Sequence, residues 1–416
     1  MHSEKAPEIS KTHRGYDKKL EGLRGLCAFI VAVNHLFTFD FFGTFSSPIY
    51  PIFFRLQFAH VAVLIFFIMS GYVMGLSHIN SPFNNINIAD YLKKRIVRLY
   101  PIYLIALFIS VVFGLQFAPI PQVIGHLFFL QEVFVHTLKA NPALWSLSYE
   151  VIYYLAFIAL WAVSKYSKNL YLLLAALIIA AILSSPSFNI VKSLLIGWIF
   201  WLSGLYISRL INNNKNTIKA PLISYFLFLL ATINLQSGAL IMKLLHISFN
   251  NHNQILLNDL SYLPICTVII SEITGKYFKY TTWIKLLACF IPAFSVFALL
   301  YFKHNIFSNM DWVYGVACFC LGIVFLILKS SIYSFEKMNF MGKISYAVYV
   351  FHFPIGFFLN MYLSKYLSGP TFLITGIVCW VILTCGISYA TEIVLQPYIK
   401  KYFFKKTPAS QVAVIH

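Results

Sequence analysis

The sequence predicts an all-α fold, a polytopic transmembrane helix bundle of about 10–12 spans with both termini cytoplasmic. Three observations carry that prediction. Of the 416 residues, 60% are hydrophobic and 11% charged, against about 45–50% and about 25% in a soluble domain. Apolar segments of roughly 17–25 residues, the length that crosses a bilayer core, recur along the whole chain. The 31 Lys and Arg cluster between alternate segments, and the positive-inside rule makes the richer side the cytoplasm.

Taken in order, the first span covers 20–39. About nineteen mostly polar residues precede it and no small-residue cleavage site follows it, so it reads as an uncleaved helix. Segments 58–77 and 96–118 come next, with the basic stretch from Lys93 to Arg98 between them as a cytoplasmic loop. Segment 144–164 returns from outside. Segment 169–184 is short, and 192–208 and 220–241 follow it. Segment 255–273 carries Asn258, Asp259 and Pro264, the weakest signal of the set. Segments 286–302, 312–328, 344–363 and 371–396 complete the bundle. The organisation is then a cytoplasmic tail (1–19), a membrane domain (20–398) and a basic cytoplasmic tail (399–416).

This composition excludes a soluble globular fold, a disordered chain and a nucleic-acid module. A formal charge of +18 would suggest phosphate-backbone binding in a soluble protein; here most of it is a topology signal. The seven cysteines all fall within spans and form no C-x-x-C pair, so neither a disulfide framework nor a metal site is expected. The chain shows no Walker loop, no G-x-S-x-G elbow and no dinucleotide fingerprint.

Ionisable side chains inside a membrane are costly and mark candidate functional positions. Arg24 and His35 lie eleven residues apart in the first span, about three helical turns, so they share one face about 16 Å apart. The arginine lies at the cytoplasmic boundary and the imidazole near mid-bilayer. In Phe66-Phe-Ile-Met-Ser70-Gly71-Tyr72, Ser70 is near the midplane too, and the Ser-Gly pair also reads as close helix packing. Lys94, Arg95 and Arg98 are three and four apart and present guanidinium and ammonium groups on one face, the chemistry that binds phosphate. Trp145 and Ser146 open the fourth span, where Ser146, Glu150, Tyr153 and Tyr154 share a face. Ser345, Tyr349 and His352 repeat at helical spacing in the penultimate span, either as a seam between helices or as part of a cavity. His35, Ser70, Glu150 and His352 converge on one depth, which implies a polar cavity with a basic cytoplasmic mouth.

The order of these elements resembles the acyltransferase-3 family of membrane O-acyltransferases. The resemblance rests on Leu20-Glu-Gly-Leu-Arg24-Gly with His35 beyond it, Phe66-Phe-Ile-Met-Ser70-Gly-Tyr and Lys93-Lys-Arg95-Ile-Val-Arg98-Leu-Tyr-Pro. It continues with Trp145-Ser-Leu-Ser-Tyr-Glu150 and Ser345-Tyr-Ala-Val-Tyr349-Val-Phe-His352-Phe-Pro. It spans 20–398, and its specificity lies in the series rather than in any one motif. Two departures stand out: Glu21 where aspartate is commoner, and a longer spacing from Glu392 to Pro397, which puts any role for Glu392 in doubt.

The resemblance implies a transferase that takes an acyl group, most often acetyl, from cytoplasmic acyl-coenzyme A. The acyl group goes to a hydroxyl of an extracytoplasmic sugar or glycolipid, such as a cell-surface polysaccharide or lipopolysaccharide O-antigen, at a bacterial inner membrane. It implies His35 and Glu150 as catalytic groups; a carboxylate at this depth would orient the imidazole as in a triad, and an acyl-histidine intermediate is the alternative chemistry. Arg24, Lys94, Arg95 and Arg98 would hold the phosphates of acetyl-coenzyme A, and Ser70, Trp145, Tyr349 and His352 would belong to the cavity. Neither a metal nor a nucleic-acid partner is expected. A transporter or flippase for an anionic or glycan substrate is the alternative, and it would bring inverted repeats and broken helices.

Overall fold

The computed structural model describes residues 18–39, 41, 58–78, 81–163, 170–184, 190–210, 221–244, 251–277, 280–302, 307, 309–328 and 335–404. Among them every regular element is helical, apart from one isolated bridge between Gln131 and Val135. An apolar solvent offers no partner for backbone N–H and C=O groups, so spanning segments must close their hydrogen bonds within themselves.

Helices α1 (Lys18–Leu36), α2 (Phe58–His78), α3 (Asn85–Phe113), α4 (Ile120–Leu127) and α5 (Trp145–Val163) form the first half of the bundle. Helices α6 (Leu170–Ser184), α7 (Ile190–Ser208), α8 (Leu222–Asn234), α9 (Ser237–Leu244), α10 (Asn251–Thr274), α11 (Thr281–Phe302) and α12 (Met310–Ile327) follow. A short α13 (Asn339–Lys343) leads into α14 (Ser345–Leu363) and α15 (Gly369–Tyr389), and a π-helical segment, Ala390–Leu395, joins α15 to α16 (Gln396–Phe403). Among the described residues eight helices are long and apolar enough to cross a membrane, or nine if α8 and α9 are one bent span. Of the other predicted spans, α1 opens with Lys18, Lys19, Glu21 and Arg24. Helix α6 has only 15 residues, and α10 carries polar residues along its first half.

Three boundaries differ from those the sequence predicts. Helix α3 starts at Asn85, where the Asn84 side chain accepts from the Asn87 N–H at 2.8 Å, an N-cap that favours initiation. The stretch from Lys93 to Arg98 is therefore helical rather than a loop, which fixes Arg95 and Arg98 one turn apart on a rigid element. The segment 220–241 is not one straight span: α8 and α9 meet at 58°, with Gln236 at φ 51°. The last helix continues through the π segment to Phe403, so no break separates 398 from the start of the tail. Residues 1–17 and 405–416, most of both predicted tails, lie outside the described residues.

Two close approaches of backbone position the site. A Cβ on Gly71 would lie 1.9 Å from the Trp201 carbonyl oxygen, and one on Gly204 1.9 Å from that of Ile68. Glycine at both positions is what lets α2 and α7 pack backbone to backbone. On α1, a Cβ on Gly22 would lie 1.8 Å from the Phe335 carbonyl oxygen. The glycine in Leu20-Glu-Gly-Leu-Arg24 thus lets the turn ahead of α13 press onto α1 and brings Arg24 within reach of α14.

Candidate active site

Arg24 is held by three partners. Its Nε donates to Ser345 Oγ at 2.9 Å and its Nη2 to the Gly342 carbonyl at 3.1 Å, while its Nη1 pairs with Glu21 at 3.1 Å. Ser345 Oγ donates in turn to the Gly342 carbonyl at 2.7 Å. The residue expected simply at the mouth of a donor site is also a clamp joining α1 to α13 and α14.

From α3, Arg98 Nη1 pairs with Glu392 Oε2 at 3.2 Å, and its guanidinium carbon lies 5.9 Å from the Tyr346 ring centroid. The Glu392 side chain is 2% exposed and its Oε1 has no hydrogen-bond partner among the described residues. Glu392 lies in the π-helical segment, a distortion that recurs at functional positions. The unusual spacing to Pro397 had put this residue in doubt; its intramembrane charge was the signal that pointed the other way. Arg95 lies between two aromatic faces, 5.8 Å from the Tyr91 centroid and 5.5 Å from that of Tyr154, and its Nε is buried without a partner among the described residues. Lys94 is placed elsewhere than expected: half-exposed, it pairs with Asp90 at 2.6 Å on the surface of α3 and does not line the cavity.

Glu150 projects from α5 toward α2. Its Oε1 accepts from the Tyr154 hydroxyl and from Ser70 Oγ, the latter at 3.1 Å. Ser70 thereby faces the polar interior while its neighbour Gly71 packs on α7. Tyr154 links two groups, since the ring that contacts Arg95 carries the hydroxyl that reaches Glu150. Tyr153, placed on the same face by its spacing, instead donates to the Leu194 carbonyl of α7 at 2.6 Å.

The expected pairing of Glu150 with His35 does not form. His35 Nδ1 lies 2.8 Å from His352 Nε2, the two rings within 3° of parallel. His352 Nδ1 lies 3.0 Å from the Val348 carbonyl, which only accepts, so that nitrogen carries a proton. In a neutral His352 the Nε2 is then a lone pair, His35 donates to it from Nδ1, and His35 Nε2 is left as a free base. The Trp380 indole donates to the His352 carbonyl at 2.8 Å, anchoring this part of α14.

Arg24, Arg95, Arg98, Ser70, Glu150 and Tyr349 border one cavity of about 150 Å³. That size holds a small acyl group or a few waters rather than a whole nucleotide. Tyr349 closes one side of it. Its hydroxyl donates to the Ala143 carbonyl at 2.9 Å and therefore accepts from Ser146 Oγ at 2.6 Å. The His352 imidazole is 6.1 Å from the Tyr349 ring, and neither histidine lines the cavity. Trp145 does not line it either, and stacks instead on His60 with ring centroids 6.1 Å apart. The stripe is thus both helix seam and cavity wall at Ser345 and Tyr349, and a partner of His35 at His352.

The family model described as an acyltransferase domain, that of acyltransferase 3, matches residues 17–271. The chain belongs to the acyltransferase-3 family. No curated protein and no solved structure matches it. The acyltransferase-3 match takes in Arg24, His35, Ser70, Arg95, Arg98 and Glu150. The fold brings the remaining site residues of this acyltransferase-3 protein, Ser345, Tyr349, His352 and Glu392, onto α1, α3 and α5 from beyond the matched segment.

Proposed function

We propose that this membrane acyltransferase moves an acyl group, acetyl by family habit, from cytoplasmic acyl-coenzyme A to a hydroxyl of an extracytoplasmic sugar or glycolipid. A cell-surface polysaccharide or lipopolysaccharide O-antigen at a bacterial inner membrane fits that description. The observation that carries the reading is one cavity, in a chain of this family, lined by three arginines together with the part-buried Glu150, Ser70 and Tyr154 network. Arginine binds phosphate oxygens through planar, charge-assisted hydrogen bonds. Arg95, whose buried Nε has no hydrogen-bond partner among the described residues, and Arg98 are the groups best placed to hold the donor's phosphates, with Arg24 adding charge and holding α1 in place.

The bound donor supplies a thioester, and the acceptor supplies a hydroxyl. His35 Nε2 takes the hydroxyl proton as the oxygen attacks the thioester carbonyl. The tetrahedral adduct then expels the thiolate, which takes up the proton. The acyl group has moved from sulfur to oxygen with no net change in charge. His352 stabilises the tautomer that makes Nε2 the base, the part a carboxylate plays in a serine-protease triad. General-base catalysis of this kind contributes roughly 10²–10⁴-fold. Glu150 acts on the cavity side, where its hydrogen bonds with Ser70 and Tyr154 fix the wall along which the donor's arm passes on its way to His35.

Coenzyme A binding to the purified protein tests the donor assignment. A ligand that binds only the folded state raises the melting temperature with concentration. Stabilisation that is lost in Arg98→Ala supports the reading. An unchanged melting temperature at millimolar coenzyme A removes the donor site and favours the transporter alternative.

A further inference from the structure

A second polar constellation lies at the other end of the cavity from the arginines. On α2 the positions His60, Val63, Phe67, Ser70 and Met74 recur at helical spacing, and the last four of them line the cavity. His60 therefore crowns the stripe that forms one cavity wall. On α5, Trp145 directly precedes Ser146 and Leu147, which line the opposite wall. The third member comes from α10, where Asp259 Oδ2 lies 2.9 Å from His60 Nε2.

The pair is asymmetric in a way that points to a ligand. The Asp259 side chain is 6% exposed whereas that of His60 is 44% exposed. Holding a carboxylate among apolar helices is costly and is met here by the imidazole N–H. With Nε2 donating to Asp259, His60 Nδ1 is left for a ligand, an acceptor in the neutral ring and a donor in the imidazolium that a carboxylate partner favours. Trp145 is offset from that ring by 6.1 Å between centroids and lies within 19° of parallel, so part of its indole face extends beyond the imidazole. The result is a flat aromatic platform beside a fixed polar edge. That combination suits a pyranose ring, whose axial C–H groups stack on an aromatic face while its hydroxyls, which both donate and accept, meet the polar edge.

We infer that His60, Asp259 and Trp145 form the acceptor subsite of this acyltransferase, binding a sugar ring at the extracytoplasmic rim and aiming it down the cavity. The inference rests on the proposed acyl-transfer reading and on the charge-based orientation, which puts this end of α2 outside. The buried carboxylate fixes the orientation of the imidazole and leaves its Nδ1 edge to meet a hydroxyl. The indole supplies contact area at little entropic cost, because an aromatic side chain has few rotamers to lose.

Saturation-transfer NMR on the protein in lipid nanodiscs tests it, using four probes: the methyl glycosides of glucose, mannose, galactose and N-acetylglucosamine. At least one of them is expected to receive saturation on its ring C–H protons. Trp145→Ala and His60→Ala should each weaken that binding about tenfold, equivalent to ~1.4 kcal/mol, while Trp145→Phe keeps an aromatic face and most of the binding. Each variant must elute from size exclusion as the parent does. No saturation of any of the four glycosides, or saturation that survives both alanine variants, overturns the subsite. Coenzyme A stabilisation measured on the same samples separates the two proposals. Stabilisation without glycoside binding leaves the donor reading standing and the subsite refuted; glycoside binding at this rim without stabilisation does the reverse.

Discussion

His35 and His352, residues of two helices at opposite ends of the sequence, share one proton across 2.8 Å. Because His352 Nδ1 faces a backbone carbonyl at 3.0 Å, the direction of the shared bond is determined, and His35 Nε2 is left unprotonated. A histidine alone would distribute between two tautomers. This one is held in the form a general base requires, by a second imidazole where a triad has a carboxylate.

In the proposed mechanism His352 is a positioning residue. Replacing it with alanine should lower kcat by one to two orders of magnitude while leaving the KM for the acyl donor nearly unchanged. His352→Gln, whose amide oxygen can accept from His35 Nδ1, should recover a substantial part of the loss. Steady-state kinetics of the three proteins checks this; equal loss in both variants would mean that His352 serves packing alone.

Arg98 and Lys94, one turn apart on α3, should behave differently. Arg98 lines the cavity and Lys94 is engaged with Asp90 on the surface. Arg98→Ala should weaken coenzyme A binding about tenfold or more, in line with the ~1.5–3 kcal/mol of a charge-assisted hydrogen bond. Lys94→Ala should change it less than about twofold, since exposed pairs contribute little. Titration calorimetry of the purified variants decides the matter.

Tyr154 joins Arg95 to Glu150, and its hydroxyl is the part that reaches the carboxylate. Tyr154→Phe leaves Ser70 as the remaining donor to Glu150 Oε1 and should cost about 0.5–1.5 kcal/mol of stability. Glu150→Gln keeps an acceptor and should be milder in stability than Glu150→Ala, which strips both hydroxyls of their partner. Thermal melts of these variants in matched lipid provide the ranking.

Gly22 has no room for a methyl group, since a Cβ there would lie 1.8 Å from the Phe335 carbonyl oxygen. Gly22→Ala must push the turn ahead of α13 off α1 and with it the groups that hold Arg24. A destabilisation of about 1–3 kcal/mol is expected from such overpacking, together with weakened coenzyme A binding. Expression level and thermal melts measure the first effect, and the calorimetric titration measures the second.

Much of this arrangement was legible in the sequence. Apolar length and basic clusters marked the bundle, and helical spacing put Arg24 with His35 and Arg95 with Arg98 on common faces. Intramembrane charge singled out Glu150 and His352. Spacing within one helix says nothing about which neighbour a side chain meets, and there the reading went astray. Glu150 met Ser70 and Tyr154 instead of His35, and Tyr153 turned toward α7. Lys94, on the same helix as Arg98, pairs with Asp90 four residues before it rather than with the cavity. The role of Glu392 was hidden because its partner Arg98 lies 294 residues away and its own segment is π-helical, which shifts every side chain relative to the regular spacing. The bend between α8 and α9 escaped notice because its pivot, Gln236, is not a glycine, the usual residue at positive φ.

The central claim is His35-dependent transfer of an acyl group from coenzyme A, and one measurement addresses it directly. Purified protein in proteoliposomes is given acetyl-coenzyme A labelled in the acetyl group together with cell-envelope glycan from a deletion strain, and base-labile label in the glycan is counted. Ester-linked label is expected with the parent protein, and a loss of roughly 10²-fold or more with His35→Ala. Equal labelling by His35→Ala, or no labelling by the parent under conditions where coenzyme A binds, would contradict it.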